Sequence, residues 1–140
     1  MAVETHTFEM QTRGDCEVLD LTSRIAHFVG SGGIKDGLVT VFVVGSTASI
    51  TTTEFEPGLA NHDLKAAFEK IAPPNGTYLH EQTWNDDNGH AHVCASLVGP
   101  TLTVPVSSKK LDLGQWQQIV LIDFDTRPRT RKIIVKVVGE

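Results

Sequence analysis

The alternation of apolar and polar residues predicts a strand at the start of the chain and two helices after it. Residues 3–10 alternate well enough for a strand with one buried face. Between residues 17 and 29 apolar side chains recur at helical spacing, and the glycine-rich stretch 30–33 predicts where that helix ends. A second helical stripe runs from Leu59 to Ile71 and is closed by two prolines.

The rest of the pattern predicts β-structure. Residues 37–44 and 48–55 are rich in β-branched side chains and are separated by a short break, which favours a hairpin. After Asn75 five more strands are predicted, at about 77–84, 91–98, 101–106, 116–125 and 131–138. The last two are apolar at nearly every position, so we expect both faces to be covered, and another subunit could supply one cover. Together the elements predict a single α+β domain, residues 1–140, built on an antiparallel or mixed sheet.

Composition narrows the class of protein. Of the 140 residues 40% are hydrophobic and 21% charged, which is typical of one globular domain. The longest apolar run is too short for a membrane helix and the N-terminus lacks a signal-peptide pattern, so we expect a cytoplasmic protein without a membrane partner. The formal net charge of -5 argues against nucleic acid as the main partner. Cys16 and Cys94 lack the spacing of a metal site, which favours reduced thiols.

One basic segment stands out against the acidic average. The sequence RPRTRK, residues 127–132, holds four of the twelve basic residues. In an extended strand Arg127, Arg129 and Arg131 would project from one face and could bind a phosphate. The commoner alternative is a solvated strand end whose charges deter pairing with another strand.

Four histidines form the main candidate for chemistry. His90 and His92 lie at the start of the predicted strand 91–98. They are two residues apart, so in an extended strand they would present two imidazoles on one face. His80, on the preceding predicted strand, could supply a third nitrogen. His62 and the adjacent Asp63 could add either a further ligand or a carboxylate that supports one. Three imidazoles suit zinc or another divalent transition metal. Each histidine could equally be a solvated or hydrogen-bonded side chain.

A pair of glutamates offers a second, less specific candidate. Glu54 and Glu56 flank Phe55 and could hold Mg²⁺ or serve as acid and base. An acidic start to the following helix is an equally good explanation, because it suits the helix dipole. No glycine-rich nucleotide-binding motif follows a strand and opens a helix.

Several stretches, taken in order, resemble a known family. They are STASITTTEFEPG, NHDLKAAFEKIAP, YLHEQTW, NGHAHVCASLVGPTLTVPV, LDLGQWQQIVLIDFD and RTRKIIVKVVGE. Over about residues 40–140 the chain resembles the YjbQ family, also described as secondary thiamine-phosphate synthases. The resemblance implies a small α+β domain with a coiled, bifurcated, largely antiparallel sheet and two to three helices. It also implies assembly as a homotrimer and a histidine cluster of the metal-binding type.

The resemblance implies roles for individual residues. His62, His80 and His92 correspond to the family's histidines and would hold a divalent metal, most simply zinc, with magnesium as the alternative. His90 occurs in the family less regularly and would act, with Glu54 and Asp63, in catalysis. The substrate would be held by four further residues, namely Trp116, Gln117, Arg131 and Lys132.

One position departs from the family pattern. Many members have a histidine where this chain has Gly45, in the sequence GSTAS. Either that histidine is not an essential ligand, or the chemistry of this branch is altered.

Three functions remain open at this stage. The first is a metal-using enzyme that joins hydroxymethylpyrimidine pyrophosphate to thiazole phosphate, as the resemblance implies, either as its main activity or as a side activity. The second is a metal-assisted hydrolase of a phosphorylated small molecule, for which the same histidines and arginines suffice. The third is a non-catalytic trimer that binds a metal or metabolite, suggested by the lack of a paired nucleophile and base.

Overall fold

A computed structural model describes residues 1–140, in which strands alternate with four short helices. The strands are β1 (Ala2–Thr12), β2 (Glu17–Asp20), β3 (Gly37–Val44), β4 (Ala48–Thr53), β5 (Thr101–Ser107), β6 (Lys110–Leu111), β7 (Gln118–Asp123) and β8 (Arg129–Gly139). The helices are α1 (Thr22–Ser31), α2 (Leu64–Ile71), α3 (Leu79–Trp84) and α4 (Gly89–Val98). A π-helical turn, Leu59–Asp63, leads directly into α2.

The strands form two sheets in which every pairing is antiparallel. The larger sheet has the order β1-β8-β3-β5-β6 and the smaller has the order β2-β7-β4. β1 lies along the whole of β8, with Ala2 opposite Gly139 and Thr12 opposite Arg129. The predicted α+β class with an antiparallel, divided sheet is therefore confirmed, with four helices rather than two to three.

The smaller sheet separates two apolar clusters. Ile119 and Leu121 of β7 point into the cluster shared with the larger sheet and α1, whereas Val120 and Ile122 point into the cluster beneath α2 and α4. All four side chains are buried, which explains why this strand carries no polar alternation. The prediction that both faces of β7 are covered is confirmed, and the covers come from the chain itself.

The larger sheet is covered on one side only. Ile133, Val135 and Val137 of β8 are buried, but the alternate positions Lys132 and Lys136 are exposed. The same open side carries exposed apolar side chains from the neighbouring strands β1 and β3. We call this surface the outer sheet face, defined by Val3, Leu38, Phe42, Val44, Lys132 and Lys136.

The predicted hairpin between residues 37–44 and 48–55 is wrong. Both strands exist, but β3 pairs with β8 and β5, while β4 pairs with β7 in the other sheet. At Gly45 the backbone has a φ of 138°, which turns the chain from one sheet into the other. The first helix also begins later than predicted, since Glu17–Asp20 forms β2.

The two strands predicted at 77–84 and 91–98 are helices, α3 and α4. In α4 the buried side chains are small and recur at helical spacing, as Ala91, Cys94 and Ala95 show. Small residues let the helix backbone lie close to β4, where the Ser49 hydroxyl donates a hydrogen bond to the Ala95 carbonyl at 3.0 Å. A short apolar run of this kind fits a strand and a buried helix equally well, so its packing and not its sequence pattern decides between them.

None of the helices combines the length and hydrophobicity needed to cross a membrane.

Candidate functional site

Two of the histidines meet where α3 and α4 lie side by side. The ring centroids of His80 and His92 are 4.5 Å apart and the ring planes are inclined by 48°. The Nδ1 atom of His80 is buried and has no hydrogen-bond partner. A buried polar nitrogen without a partner is costly in a native structure, so this atom is a candidate for binding a ligand.

His90 does not lie beside His92 as predicted. Successive helical residues are rotated by about 100°, so residues two apart on α4 point in nearly opposite directions. The ring of His90 lies instead near Tyr78, with centroids 6.3 Å apart, and its Nδ1 atom is buried without a partner. It faces a cavity of about 20 Å³ that Cys16 and Cys94 also line.

The two cysteines are free thiols held in their protonated form. Burial, followed by repulsion from Cys94, raises the pKa of Cys16 to about 12. Burial alone raises the pKa of Cys94. Because the thiolate is the reactive form, neither thiol is suited to act as a nucleophile at neutral pH.

His62 lies apart from the histidine pair. Its side chain is 79% exposed, and its Nδ1 atom is 2.9 Å from the Oδ1 atom of Asp63, which is exposed as well. Nowhere in the structure do three or more His, Cys, Asp or Glu side chains lie close enough together to hold a metal ion. Of the three histidines predicted as ligands, only His80 and His92 therefore lie together within one chain. Imidazole nitrogens are among the ligands that transition metals prefer.

Arg131 is buried in an ion pair at the start of β8. It donates to both carboxylate oxygens of Asp123, from Nε at 2.7 Å and from Nη2 at 3.0 Å. Nη2 also donates to the Thr47 hydroxyl at 2.6 Å, and the Thr12 hydroxyl donates to Asp123 at 2.6 Å. Two of the three guanidinium nitrogens are therefore committed to the protein, which leaves Nη1 as the nitrogen that could bind a phosphate.

A second carboxylate extends this network. Asp125 accepts hydrogen bonds from Thr47 at 2.8 Å, from Asn88 at 3.4 Å and from Arg129 at 3.0 Å. Burial opposes its ionisation, but the hydrogen bonds from Thr47 and the Thr126 N–H and the charge of Arg129 outweigh it and lower the pKa of Asp125. We call the whole network the buried ion-pair cluster, consisting of Thr12, Thr47, Asn88, Asp123, Asp125, Arg129 and Arg131.

The acidic members of this cluster are absent from the site residues predicted from the sequence. A usable signal was present, since IVLIDFD places two aspartates at the end of an otherwise wholly apolar strand. Buried carboxylates must be paired, so arginines at similar spacing in RPRTRK were the natural partners. Arg127 differs from the other two arginines, because it pairs with Asp86 at 2.9 Å near the surface.

Gly45 lies against the cluster. A Cβ atom at this position would be 2.6 Å from Nη1 of Arg131, which is too close for any real contact. Gly45, at which the sequence departs from the pattern that the family resemblance implies, therefore makes room for the guanidinium group, and any side chain here would have to displace it.

Glu54 and Trp116 lie together in another part of the molecule. They line a depression of about 460 Å³ between the end of β4 and the turn that precedes β7. Gln117 supports that turn, because its Oε1 atom accepts a hydrogen bond from the Gly114 N–H at 2.8 Å. None of the lining residues belongs to α3 or α4. Lys132 is on the outer sheet face, so the predicted site residues occupy several separate places in a single chain.

Acid should weaken the fold through Asp125. Because its pKa is lowered in the folded state, its stabilising contribution is complete above its ordinary value near 3.8 and is lost as the pH falls through the lower, folded value. We expect Asp125→Asn to reduce the free energy of unfolding at neutral pH by about 1.5–3 kcal/mol and to flatten its decline below pH 4. Urea unfolding across that pH range measures both effects. The control is Glu69→Gln, which removes an exposed carboxylate 3.9 Å from Lys65 and should change neither the stability at neutral pH nor its decline in acid. If Asp125→Asn kept the wild-type decline in acid, Asp125 would not be the group responsible.

Gly45→Ala should destabilise the protein more than Gly99→Ala. Both glycines have positive φ angles, 138° and 93°, so each substitution costs of order 1–3 kcal/mol in backbone strain. Only at Gly45 would the added methyl meet Arg131, whereas at Gly99 no atom lies within 4 Å. Denaturant unfolding of the two variants measures the difference, and equal losses would show that the guanidinium group moves aside freely.

Comparison with known proteins agrees with the fold and with the sequence resemblance. The family described as UPF0047 protein YjbQ-like matches residues 6–140. A UPF0047 protein of Archaeoglobus fulgidus is 39% identical over 127 residues, which cover 91% of this chain and 95% of that protein. The UPF0047 protein YugU of Bacillus subtilis is 31% identical over 134 residues, covering 95% and 98%. A crystal structure from Sulfolobus solfataricus, described as a YbjQ-like protein of unknown function, has a TM-score of 0.88 at 31% identity and covers 99% of this chain and 100% of its own. The chain therefore belongs to the UPF0047 family of YjbQ-like proteins.

Proposed function

We propose that this protein is a metal-dependent enzyme that acts on a phosphorylated small molecule, of the secondary thiamine-phosphate synthase type. The observation that carries the proposal is the contact between His80 and His92, with the unpaired, buried Nδ1 atom of His80. Two imidazoles from adjacent helices are a common basis for a site that holds zinc or a related metal. Magnesium is the alternative, and it would favour oxygen ligands over this pair.

The reaction type follows from the family resemblance and needs positive charge close to the leaving group. A ring nitrogen of the thiazole phosphate forms a bond to the methylene carbon of the pyrimidine, whose bond to the pyrophosphate oxygen breaks. The pyrophosphate leaves with the bonding electron pair, and the thiazole nitrogen becomes cationic. A divalent cation supplies positive charge to the leaving group when it is bound.

The remaining residues have roles in this proposal according to their positions. Nη1 of Arg131 is the guanidinium nitrogen not committed to Asp123 or Thr47, and it would donate to a phosphate oxygen. Trp116 and Glu54 would line the substrate pocket, with Gln117 holding the turn that carries Trp116. His62, Asp63, His90 and Lys132 lie away from these groups and remain candidates for completing the site only through another subunit.

A homotrimer is part of the proposal. The outer sheet face exposes Val3, Leu38, Phe42 and Val44 to 61%, 51%, 39% and 45%, which is more apolar surface than a sheet facing water usually carries. Burying this face between copies would also give β8 the second cover that its apolar sequence suggested. Self-association could bring the histidine pair of one copy near the Trp116 depression of another.

Removing either paired histidine should abolish both metal binding and synthesis. In an assay with hydroxymethylpyrimidine pyrophosphate and thiazole phosphate, His80→Ala and His92→Ala should lower formation of thiamine phosphate at least 100-fold, and chelation should do the same to the wild type. Metal analysis of untagged protein should find stoichiometric metal in the wild type and in His27→Ala, an exposed histidine on α1, but not in the two variants. Equal metal content in all four proteins would remove the pair from the site.

Release of phosphate from simple phosphoesters without any joined product would favour the hydrolase instead.

A charge on the outer sheet face should dissociate the trimer. Light scattering should give three times the monomer mass of 15.2 kDa for the wild type and the monomer mass for Phe42→Lys. Ile71→Lys, which changes a side chain 60% exposed at the end of α2, is the control and should remain trimeric. Dissociation by Ile71→Lys alone would place the interface on the helical side, and a monomeric wild type would exclude the trimer.

A further inference from the structure

The Trp116 depression has an unusual combination of lining residues. Two exposed aromatic rings, Trp116 at 65% and Phe55 at 46%, border the same concave surface of about 460 Å³. This volume is in the range of small-molecule sites. Its lining consists of Asp20, Glu54, Phe55, Glu56, Pro57, Gln115, Trp116 and Gln118.

All the charged residues that line the depression are acidic. The lining contains three carboxylates and no lysine, arginine or histidine, so nothing within the depression neutralises their charge. Two of the carboxylates accept hydrogen bonds from backbone N–H groups. Asp20 accepts one from Thr22 at 2.9 Å, and Glu56 accepts two, each at 2.8 Å, from the start of the following helix. Glu54 has neither a hydrogen bond nor an ion pair, so its charge is the one free to meet a ligand.

The aromatic part of the site is held in place by its turn. The Gln117 side chain accepts the Gly114 N–H, and the Gln117 N–H donates to the Gly114 carbonyl at 3.0 Å, so the turn that carries Trp116 is closed at both ends. Gln117 also donates to Thr52 at 3.4 Å, which ties the turn to β4. These hydrogen bonds hold the indole of Trp116 in an exposed position, although burial of so large an apolar ring would be favourable.

We propose that the Trp116 depression binds an organic cation. Aromatic faces attract cations that carry few hydrogen-bond donors, such as quaternary ammonium groups and charged aromatic rings, and a nearby carboxylate adds to that attraction. A bare divalent metal ion is a poorer match, because it needs several converging oxygen ligands and gains nothing from exposed rings. The proposal rests on the proposed function only in treating this depression as a substrate site; the charge of the ligand follows from the lining itself.

The test compares a cation with a neutral molecule of the same shape. Choline and 3,3-dimethylbutan-1-ol differ mainly in the charged nitrogen, so a difference between them reports charge recognition. In NMR titrations the indole N–H of Trp116 should shift saturably with choline and much less with the neutral alcohol. Trp84, which is 71% exposed on α3 and lines no part of the depression, is an internal control whose signal should stay unchanged.

Variants separate the two parts of the interaction. Glu54→Gln keeps the shape of the side chain and removes its charge, and we expect choline to bind about three- to fivefold more weakly. Trp116→Leu should weaken binding by a similar factor, measured by isothermal calorimetry, while Trp84→Leu should leave it unchanged. Equal affinity for choline and the alcohol, or wild-type affinity in Glu54→Gln, would overturn the proposal.

Two further measurements keep this site distinct from the histidine pair and from a subunit interface. Choline binding should persist in metal-free protein and in His80→Ala, so its loss there would show that the depression depends on the metal site. If the proposed synthesis fails while choline still binds, the cation site stands alone. If acrylamide quenches Trp116 only after dilution dissociates the protein, a second copy covers the depression and the proposal is wrong.

Discussion

The structure depends on the pairing of two buried aspartates with the arginines of β8. Asp123 and Asp125 are 0% and 1% exposed, and a buried carboxylate without a partner would cost several kcal/mol. Their partners come from four other parts of the chain, so the requirement to satisfy them fixes where β1, the segment before β4, the segment before α4 and the start of β8 meet the end of β7. The contacts that do this are made by Thr12, Thr47, Asn88, Arg129 and Arg131.

Such a cluster acts on specificity more than on net stability. The Coulomb attraction within a buried ion pair is largely offset by the loss of hydration, so an apolar replacement of equal volume can be as stable. A strand that slipped by one residue, however, would turn Arg129 and Arg131 to the outer sheet face and leave both aspartates unpaired. The cluster therefore selects the register of β8 against β1 and β3, and with it the placement of every residue on these strands.

The same constraint shapes the candidate sites. Asn88 joins the cluster immediately before α4, and small buried residues then let that helix lie against β4. His92, four residues after Asn88, is directed towards His80 on α3, while His90 is directed towards the cavity of Cys16 and Cys94. The divided sheet carries Glu54 and Trp116 to a different surface. Within a single chain the His80–His92 pair and the Trp116 depression therefore lie apart from each other. This separation is why an assembly of several copies matters to the proposed function.

Much of the fold and part of the site could be predicted from the sequence, for reasons that lie in local patterns. Alternation identified β1, and unbroken apolar runs identified β3, β7 and β8, because burial acts on each strand through its own side chains. The spacing of the histidines and the family resemblance both pointed to His80 and His92, but the predicted geometry was wrong because the segments predicted as strands contain the helices α3 and α4. In those segments local propensity was ambiguous, and packing of Ala91, Cys94 and Ala95 against β4 decided for helix.

By itself, the sequence determined the α+β class, the family and the presence of free thiols, histidines and a basic segment near the end of the chain. Only the tertiary structure decided which of these groups meet. Arg131 looked like a free phosphate ligand in the sequence, yet it is mostly committed to Asp123, because two carboxylates buried by the fold had to be neutralised there. His80 and His92 became a pair, and His62 did not join them, because contacts between residues distant in sequence depend on how the helices pack and not on the spacing of residues along the chain.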